Sequence, residues 1–143
     1  MLGGRPVSTE RLRPSRHRVN VWLKDLFEQQ DTLFIRYKLH NDTNEVYETR
    51  TPRIFLLGEL PHLRSVAGQE NFQLADTEVK KLKAKDQSPL EVVSEKLLLT
   101  KLNPGQETVG VVGIKLTSSS EPRVLRIEFP NDGRGAVGAG LVL

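Results

Sequence analysis

The side chains that most often carry out chemistry are scarce and scattered in this chain. There is no cysteine, so neither a thiolate nucleophile nor a disulfide is available. The three histidines, His17, His40 and His62, have none of the i, i+2 or i, i+4 spacings of a local metal site. No G-x-S-x-G elbow marks a nucleophilic serine, and the 18 acidic residues form no suggestive cluster. We therefore predict a protein that is not an enzyme and that uses no metal or cofactor.

Glycines in the stretch LLLTKLNPGQETVGVVGIKL, residues 97–116, raise the question of a phosphate-binding loop. Gly110 and Gly113 lie among β-branched residues, no helix follows them, and their spacing fits neither glycine-rich nucleotide motif. The pattern instead favours a strand in which glycine permits a bulge or the close approach of a neighbour. The preceding Asn103, Pro104 and Gly105 predict a type II turn, because proline fixes φ and glycine takes the positive-φ position. The segment is therefore predicted to be a hairpin.

The net charge of +3 is distributed unevenly. Residues 1–18 hold five arginines and one acid, or +4, whereas the remaining chain has 16 basic and 17 acidic side chains, or −1. Arginine matches the geometry of phosphate, so a flexible arm of this kind could contact a polyanion such as nucleic acid. The candidate residues are Arg5, Arg11, Arg13, Arg16 and Arg18. The arm has no aromatic residue to stack on bases, and its mix of Arg, Pro and Ser is also typical of a plain linker, which we favour.

A second group of cations lies at Lys80, Lys81, Lys83 and Lys85, where a solvated helix face is the simpler interpretation. Residues 1–18 lack the apolar stretch of a secretory signal, and no window approaches the roughly 20 apolar residues of a membrane span. Two alternatives follow, a cytosolic protein or a mature or excised piece of a longer precursor, and we favour the excised domain.

From Val19 onward, apolar and polar residues alternate with the period of two that is typical of half-buried strands. Strands are predicted near residues 19–27, 32–39, 46–49, 53–57, 72–74, 97–102, 108–116, 123–129 and 135–143. One helix is predicted at residues 76–86, with Asp76 as its cap and with Val79 and Leu82 on one face. Residues 58–74 are predicted to be mostly loop, and residues 90–96 remain open between helix and strand. This outline predicts an all-β, antiparallel β-sandwich of about seven to nine strands with at most one short helix. Residues 19–143 are predicted to form this domain, and residues 1–18 a basic flexible arm or linker.

The order of FIRYKLHNDTN, PRIFLL, LNPGQETVGVVGIKL and LRIEFP resembles bacterial immunoglobulin-like β-sandwich domains of envelope and exported proteins, over about residues 19–130. In those domains a strand ending in Asn precedes a polar hairpin, and a Pro-Gly-Glu/Gln turn introduces a glycine-containing strand. This sequence departs from the family at Ile114, where an aromatic residue is common. The resemblance implies an immunoglobulin-like fold and a non-catalytic interaction or assembly module. It also implies an extracytoplasmic location, in the periplasm or at the cell surface, with a cytoplasmic location as the alternative.

The carboxyl terminus suggests how such a module could bind a protein partner. The chain ends on the apolar residues Ala139, Gly140, Leu141, Val142 and Leu143, which could form an unpaired sheet edge. An open edge captures another chain by strand addition. The alternative is that this strand simply closes the sandwich. A second hypothesis of a different class is nucleic-acid binding through the arginine arm.

Overall fold

A computed structural model describes residues 4–58, 71–116 and 123–143. In these residues twelve β-strands and one α-helix follow one another. The strands are β1 (Arg5–Pro6), β2 (Val19–Gln29), β3 (Thr32–Asn41), β4 (Tyr47–Glu48), β5 (Arg53–Gly58), β6 (Phe72–Ala75), β7 (Asp86–Pro89), β8 (Val92–Leu97), β9 (Lys101–Leu102), β10 (Glu107–Lys115), β11 (Val124–Phe129) and β12 (Val137–Val142), and the helix is α1 (Asp76–Lys81). Nine of these strands have four or more residues. β4 and β9 lie within predicted strands, whereas β1 and β7 lie where no strand was predicted.

Two five-stranded antiparallel sheets form a sandwich, which confirms the predicted fold class. Sheet A has the strand order β1-β2-β3-β10-β8, and sheet B has the order β6-β12-β11-β5-β7, with β4 and β9 as a separate pair. The predicted alternation is observed in β3, where Leu33, Ile35, Tyr37 and Leu39 are buried. These side chains contribute to a continuous core between the sheets, together with residues of sheet B such as Ile127.

The helix lies where it was predicted but is shorter and is capped differently. It has six residues, and Val79 and Leu82 are buried as predicted. Asp76 is not the cap, because the N-cap is Ala75, which makes no side-chain capping bond. The Asp76 carboxylate instead accepts hydrogen bonds from the Arg126 guanidinium, at 3.0 Å from Nε and 3.4 Å from Nη2. Residues 90–96, which the sequence left open, are mostly strand β8.

The hairpin predicted at residues 97–116 is confirmed in part. β8 and β10 pair antiparallel, with Gly110 opposite Leu97. Residues 101–102, predicted to continue the strand at 97, pair instead with β4. The turn forms as predicted, because Gly105 has a φ of 86° and the Gln106 N–H donates to the Asn103 carbonyl at 3.0 Å.

Both glycines of β10 permit a close approach of neighbouring side chains. A Cβ atom on Gly110 would lie 2.6 Å from the Tyr37 hydroxyl oxygen, and one on Gly113 would lie 2.8 Å from the Phe34 ring. The register between β10 and β8 also shifts after Gly113, which marks a bulge. The glycine spacing therefore has the structural cause that the sequence predicted.

Along one side of the sandwich, residues 5–8 and Gln73 connect sheet A to sheet B. β1 pairs with β2, and Ser8 forms a bridge to Phe72 of β6. The Gln73 side chain accepts a hydrogen bond from the Leu23 N–H at 2.7 Å and donates one to the Val21 carbonyl at 2.9 Å. The division into an arm at residues 1–18 and a domain at 19–143 stays a prediction, and these backbone bonds cross its boundary.

The carboxyl-terminal strand lies inside sheet B. β12 pairs with β11 on one side and with β6 on the other, so Ala139 lies opposite both Ile127 and Ala75. Beyond β12, the Leu143 N–H donates to the Arg123 carbonyl at 2.9 Å. Because this strand has hydrogen-bonded neighbours on both sides, residues Ala139, Gly140, Leu141, Val142 and Leu143 do not form the free edge considered from the sequence, and the alternative of a strand that closes the sandwich fits instead.

Candidate functional site

The margin of the sandwich opposite Gln73 is formed by β7 and β8. β8 is the last strand of sheet A and β7 the last strand of sheet B, and the chain passes between them within residues 86–97. The Leu90 N–H marks the crossing, since it donates to the Ile54 carbonyl at 2.8 Å. All four residues of β7 and residues 93–96 of β8 are exposed. This is the margin at which strand addition would have to occur.

Three features of this margin oppose strand addition. The bulge after Gly113 interrupts the ladder, and Pro89 lacks a backbone N–H donor. Glu95 lies opposite the buried Val112, so its carboxylate is on the core-facing side of β8, where it accepts a hydrogen bond from the Thr51 hydroxyl. Bulges, prolines and inward charges are the devices by which natural sheets avoid joining edge to edge.

An exposed apolar cluster lies on the hairpin of β8 and β10. Five large apolar side chains are exposed in the described residues, and all except Val46 belong to this hairpin: Val93, Leu98, Leu99 and Val109. Leu98 is 72% exposed and Val109 is 50% exposed. The two are adjacent, because the Leu98 N–H donates to the Val109 carbonyl at 3.1 Å. Single exposed apolar residues are ordinary, but two that lie side by side form apolar surface of the kind that interaction sites present.

The outer face of sheet A continues this cluster across four strands. The register places Leu98, Val109, Lys38 and Trp22 in one row, Lys96, Val111, Arg36 and Asp25 in the next, and Ser94, Gly113, Phe34 and Phe27 in a third. The rings of Phe27 and Phe34 stack with centroids 4.7 Å apart. This outer face therefore presents apolar and aromatic surface between charged side chains.

Cations outnumber carboxylates on the outer face. The first two rows described above contain the cations Lys38, Arg36 and Lys96. The acid in these two rows is Asp25. Asp25 accepts a hydrogen bond from the Arg36 Nε at 2.7 Å, and this bond raises the pKa of Arg36. Lys38 lies 3.7 Å from the more exposed Glu107. A face with this balance is complementary to an acidic partner surface.

The five arginines predicted to contact a polyanion do not form one continuous strip. Arg5 is paired with Glu28 at 3.0 Å, and the Arg11 guanidinium lies 4.5 Å from the centroid of the Phe72 ring. Arg16 is exposed. Arg13 and Arg18 line a cleft beside β2. Their use in binding nucleic acid stays a prediction.

Arg18 is held in place by a buried carboxylate. Its Nε donates to Asp132 at 2.7 Å, and the Asp132 side chain is 0% exposed. The backbone N–H groups of Val19 and Arg134 donate to the same carboxylate, each at 3.0 Å. Burial alone raises the pKa of Asp132, but the hydrogen bonds from Arg18 and the two backbone amides outweigh it, so the pKa is lowered. Sequence inspection missed Asp132 and Arg134 because nothing local marks them.

The remaining candidate residues are dispersed. Lys80, Lys81, Lys83 and Lys85 are all exposed, and Lys80 lines the same cleft as Arg13. His17 is exposed, His40 is half-buried, and His62 lies outside the described residues. In residues 4–58, 71–116 and 123–143, there is no group of three or more His, Cys, Asp or Glu side chains placed so that it could hold a metal ion. No helix in the same ranges is both long and apolar enough to span a membrane.

Comparisons with known proteins give only distant similarities. No family model and no curated protein sequence matches the chain. Among solved structures, the archaellum periplasmic stator protein FlaG from Sulfolobus acidocaldarius is 12% identical with a TM-score of 0.44, over 85% of this chain and 98% of that one. The stator protein complex of FlaF and FlaG from the same organism gives 13% identity and a TM-score of 0.42, over 93% and 95%. Both are archaeal, and the bacterial immunoglobulin-like family remains a prediction from the sequence. Similarities this weak do not establish a function.

Proposed function

We propose that this domain is a non-catalytic interaction or assembly module that binds an acidic, partly apolar surface of a protein partner. The binding surface is the outer face of sheet A at the hairpin of β8 and β10. The observation that carries the proposal is the clustering of exposed apolar side chains on this hairpin, next to the cations of the same face. An immunoglobulin-like fold and a location outside the cytoplasm, in an envelope or exported assembly, belong to the same proposal through the resemblance described from the sequence.

Docking on the face explains the surface better than strand addition does. A partner strand added beside β8 would bring its backbone next to the Glu95 carboxylate and the bulge after Gly113. A partner on the outer face meets Leu98 and Val109 instead, and neither carries a polar group that must be desolvated. Fully burying a leucine or valine contributes about 1.5–3 kcal/mol, so truncating either side chain should weaken binding about tenfold.

Site-directed cross-linking tests the proposal and identifies the partner in the same experiment. A photoreactive amino acid at position 98 or 109 should form an adduct with one and the same protein. The adduct at position 98 should be lost when Val109→Asp is introduced, since an added carboxylate repels an acidic partner and removes the apolar contact. Position 46 is the matched control, because Val46 is 51% exposed but lies outside the hairpin. The same adduct from position 46, or none from positions 98 and 109, would contradict the proposal.

Strand addition has its own test in Glu95→Val. Removing the inward charge should increase self-association of the domain in sedimentation experiments if the carboxylate keeps the margin closed. Cross-linking of the partner at position 98 should be unchanged by this substitution, because Glu95 lies on the core-facing side of the hairpin and Leu98 on its outer face. Stronger capture of the same partner by this variant would place the partner on the strand margin instead.

The nucleic-acid hypothesis needs a test that leaves the fold intact. Deleting residues 1–18 would also remove the backbone bonds of residues 5–8 with β2 and β6. A cleaner variant is Arg13→Gln with Arg16→Gln, since both side chains are exposed. If the arginines bind nucleic acid, this variant should weaken the affinity and flatten its salt dependence. Unchanged binding would count against the hypothesis.

A further inference from the structure

A cleft of about 370 Å³ lies at the other end of sheet A from the β8–β10 hairpin. Four separate segments form its walls: residues 12–15, residues 18–22 at the start of β2, residues 73–80 of β6 and α1, and residues 134–138. Trp22 and Leu12 contribute apolar surface to it. Its volume is within the lower range of small-ligand sites in proteins.

The cleft concentrates positive charge that is not compensated locally. Its lining cations are Arg13, Arg18, Lys80 and Arg134, and Asp76 is the one carboxylate among the described residues that line it. Asp76 is already bound by Arg126, and Arg18 by Asp132. With Arg126 and Asp132 included, five cations face two carboxylates, which leaves an excess of three positive charges. The excess is carried by the three lining cations that make no ion pair with any described residue. Those three are Arg13, Lys80 and Arg134.

Asp132 connects two of these walls, the start of β2 and the loop that carries Arg134. This buried carboxylate accepts hydrogen bonds from the Arg18 side chain and from the backbone N–H groups of Val19 and Arg134. The Arg18 Nη2 also donates to the Ala136 carbonyl at 2.9 Å. The amino-terminal segment and the loop before β12 are therefore held at a fixed separation. A site whose walls are fixed before binding loses less entropy when a ligand enters.

We propose that this cleft binds a small phosphate-bearing ligand, a property separate from the proposed docking of a protein partner. Three uncompensated cations from three segments suit a compact anion that can accept hydrogen bonds on several sides. A phosphate group carries about −1.5 to −2 charges and offers three acceptor oxygens, and arginine binds it in a bidentate manner. Trp22 and Leu12 give the cleft apolar surface for the organic part of such a ligand.

Tryptophan fluorescence measures binding at this cleft directly, because Trp22 is the single tryptophan of the chain. Titration of the full chain with inorganic pyrophosphate at constant ionic strength should give a saturable change. Each of Arg13→Gln, Lys80→Gln and Arg134→Gln should raise the dissociation constant about tenfold, as expected for the loss of one charge-assisted bond.

Two matched controls separate the cleft from general electrostatics. Arg16→Gln removes an exposed arginine from the same segment as Arg13, and Lys81→Gln removes the neighbour of Lys80, yet neither residue lines the cleft. Both should leave the dissociation constant within about twofold, and thermal unfolding should confirm that every variant is folded. The absence of saturable binding by both fluorescence and calorimetry would overturn the proposal. Equal weakening by the control variants, or tighter binding of citrate than of pyrophosphate, would also overturn it.

Discussion

Gln73→Met should destabilise the domain, because Gln73 connects the two sheets along one side of the sandwich. The side chain is 2% exposed, and it bonds the Leu23 N–H at 2.7 Å and the Val21 carbonyl at 2.9 Å. Methionine has a similar length but can form neither bond. Since Leu23 and Val21 are themselves buried, their backbone groups would lose a partner without gaining water.

The expected size follows from these two backbone groups. Leaving one buried donor or acceptor unpaired costs about 1–3 kcal/mol, so leaving two unpaired costs about 2–6 kcal/mol. Because the structure around them can relax, we expect the free energy of unfolding to fall by about 3–4 kcal/mol. With a urea m-value of about 2 kcal/mol/M, the unfolding midpoint should fall by about 1.5–2 M.

Urea unfolding of the native chain and of Gln73→Met measures this difference. Gln87→Met is the matched control, because Gln87 is exposed on β7, and it should change stability by no more than about 0.5 kcal/mol. A midpoint for Gln73→Met within about 0.3 M of the native value would refute the reasoning, since the backbone groups would then have found other partners.

Three further predictions concern individual contacts. Gly110→Ala should lower the free energy of unfolding by about 1–3 kcal/mol in the same urea assay, because the added methyl group would lie 2.6 Å from the Tyr37 hydroxyl oxygen, and an unchanged midpoint would contradict this. Burial raises the pKa of both tyrosines, Tyr37 and Tyr47, to about 12. Ultraviolet titration should therefore show neutral phenols in the folded protein at pH 10, and stability should fall as the pH rises above 10, where the unfolded chain ionises first; ionisation at pH 10 without unfolding would contradict this. The lowered pKa of Asp132 stabilises the fold above the ordinary carboxylate value of 3.8, and this stabilisation is lost as the pH falls through the folded value. Asp132→Asn should accordingly have a lower free energy of unfolding than the native protein at pH 7, and the difference should disappear in acid. A difference that does not change with pH would exclude this role for the pair of Arg18 and Asp132.

Local features of the fold could be predicted because they depend on neighbours in the sequence. The two-residue alternation indicates β2 and β3, and proline followed by glycine indicates the turn at Gly105. The β-branched surroundings of the glycines in β10 predict a close approach, and the structure shows Tyr37 and Phe34 lying against them. In each case the signal is contained in a few adjacent residues.

The order of strands in the sheets could not be predicted in the same way, since it depends on residues far apart in the chain. The sequence left the carboxyl-terminal strand open between a free edge and a strand that closes the sandwich, although its run of apolar residues on both faces is typical of a covered strand. The helix explains that run, because Val79 of α1 lies directly against Gly140 on one face of β12. The other face is part of the core, through Ala139 and Leu141.

The candidate surfaces were missed for the same reason. Leu98 and Val109 look like core residues in a sequence of apolar strands, and only the pairing of β8 with β10 places them together on the outside. The cleft brings together Arg13 and Arg134, which are separated by most of the chain, and Asp132 holds the Arg134 backbone against Arg18 beside it. The arginines stand out as a charged segment, but their partners could not be assigned from spacing.

The two margins of the sandwich decide how the domain can associate. Residues 5–8 and Gln73 occupy the hydrogen-bonding groups along one margin, and Glu95, Pro89 and the bulge in β8 oppose pairing along the other. Unlimited edge-to-edge growth is disfavoured at both, which favours the proposed docking of a partner on the outer face. A face selects its partner by side-chain complementarity, which suits one specific contact. Trp22 and Leu98 are separated by three strand spacings, or about 14 Å, so the cleft and the apolar cluster leave room for both ligands on the same sheet.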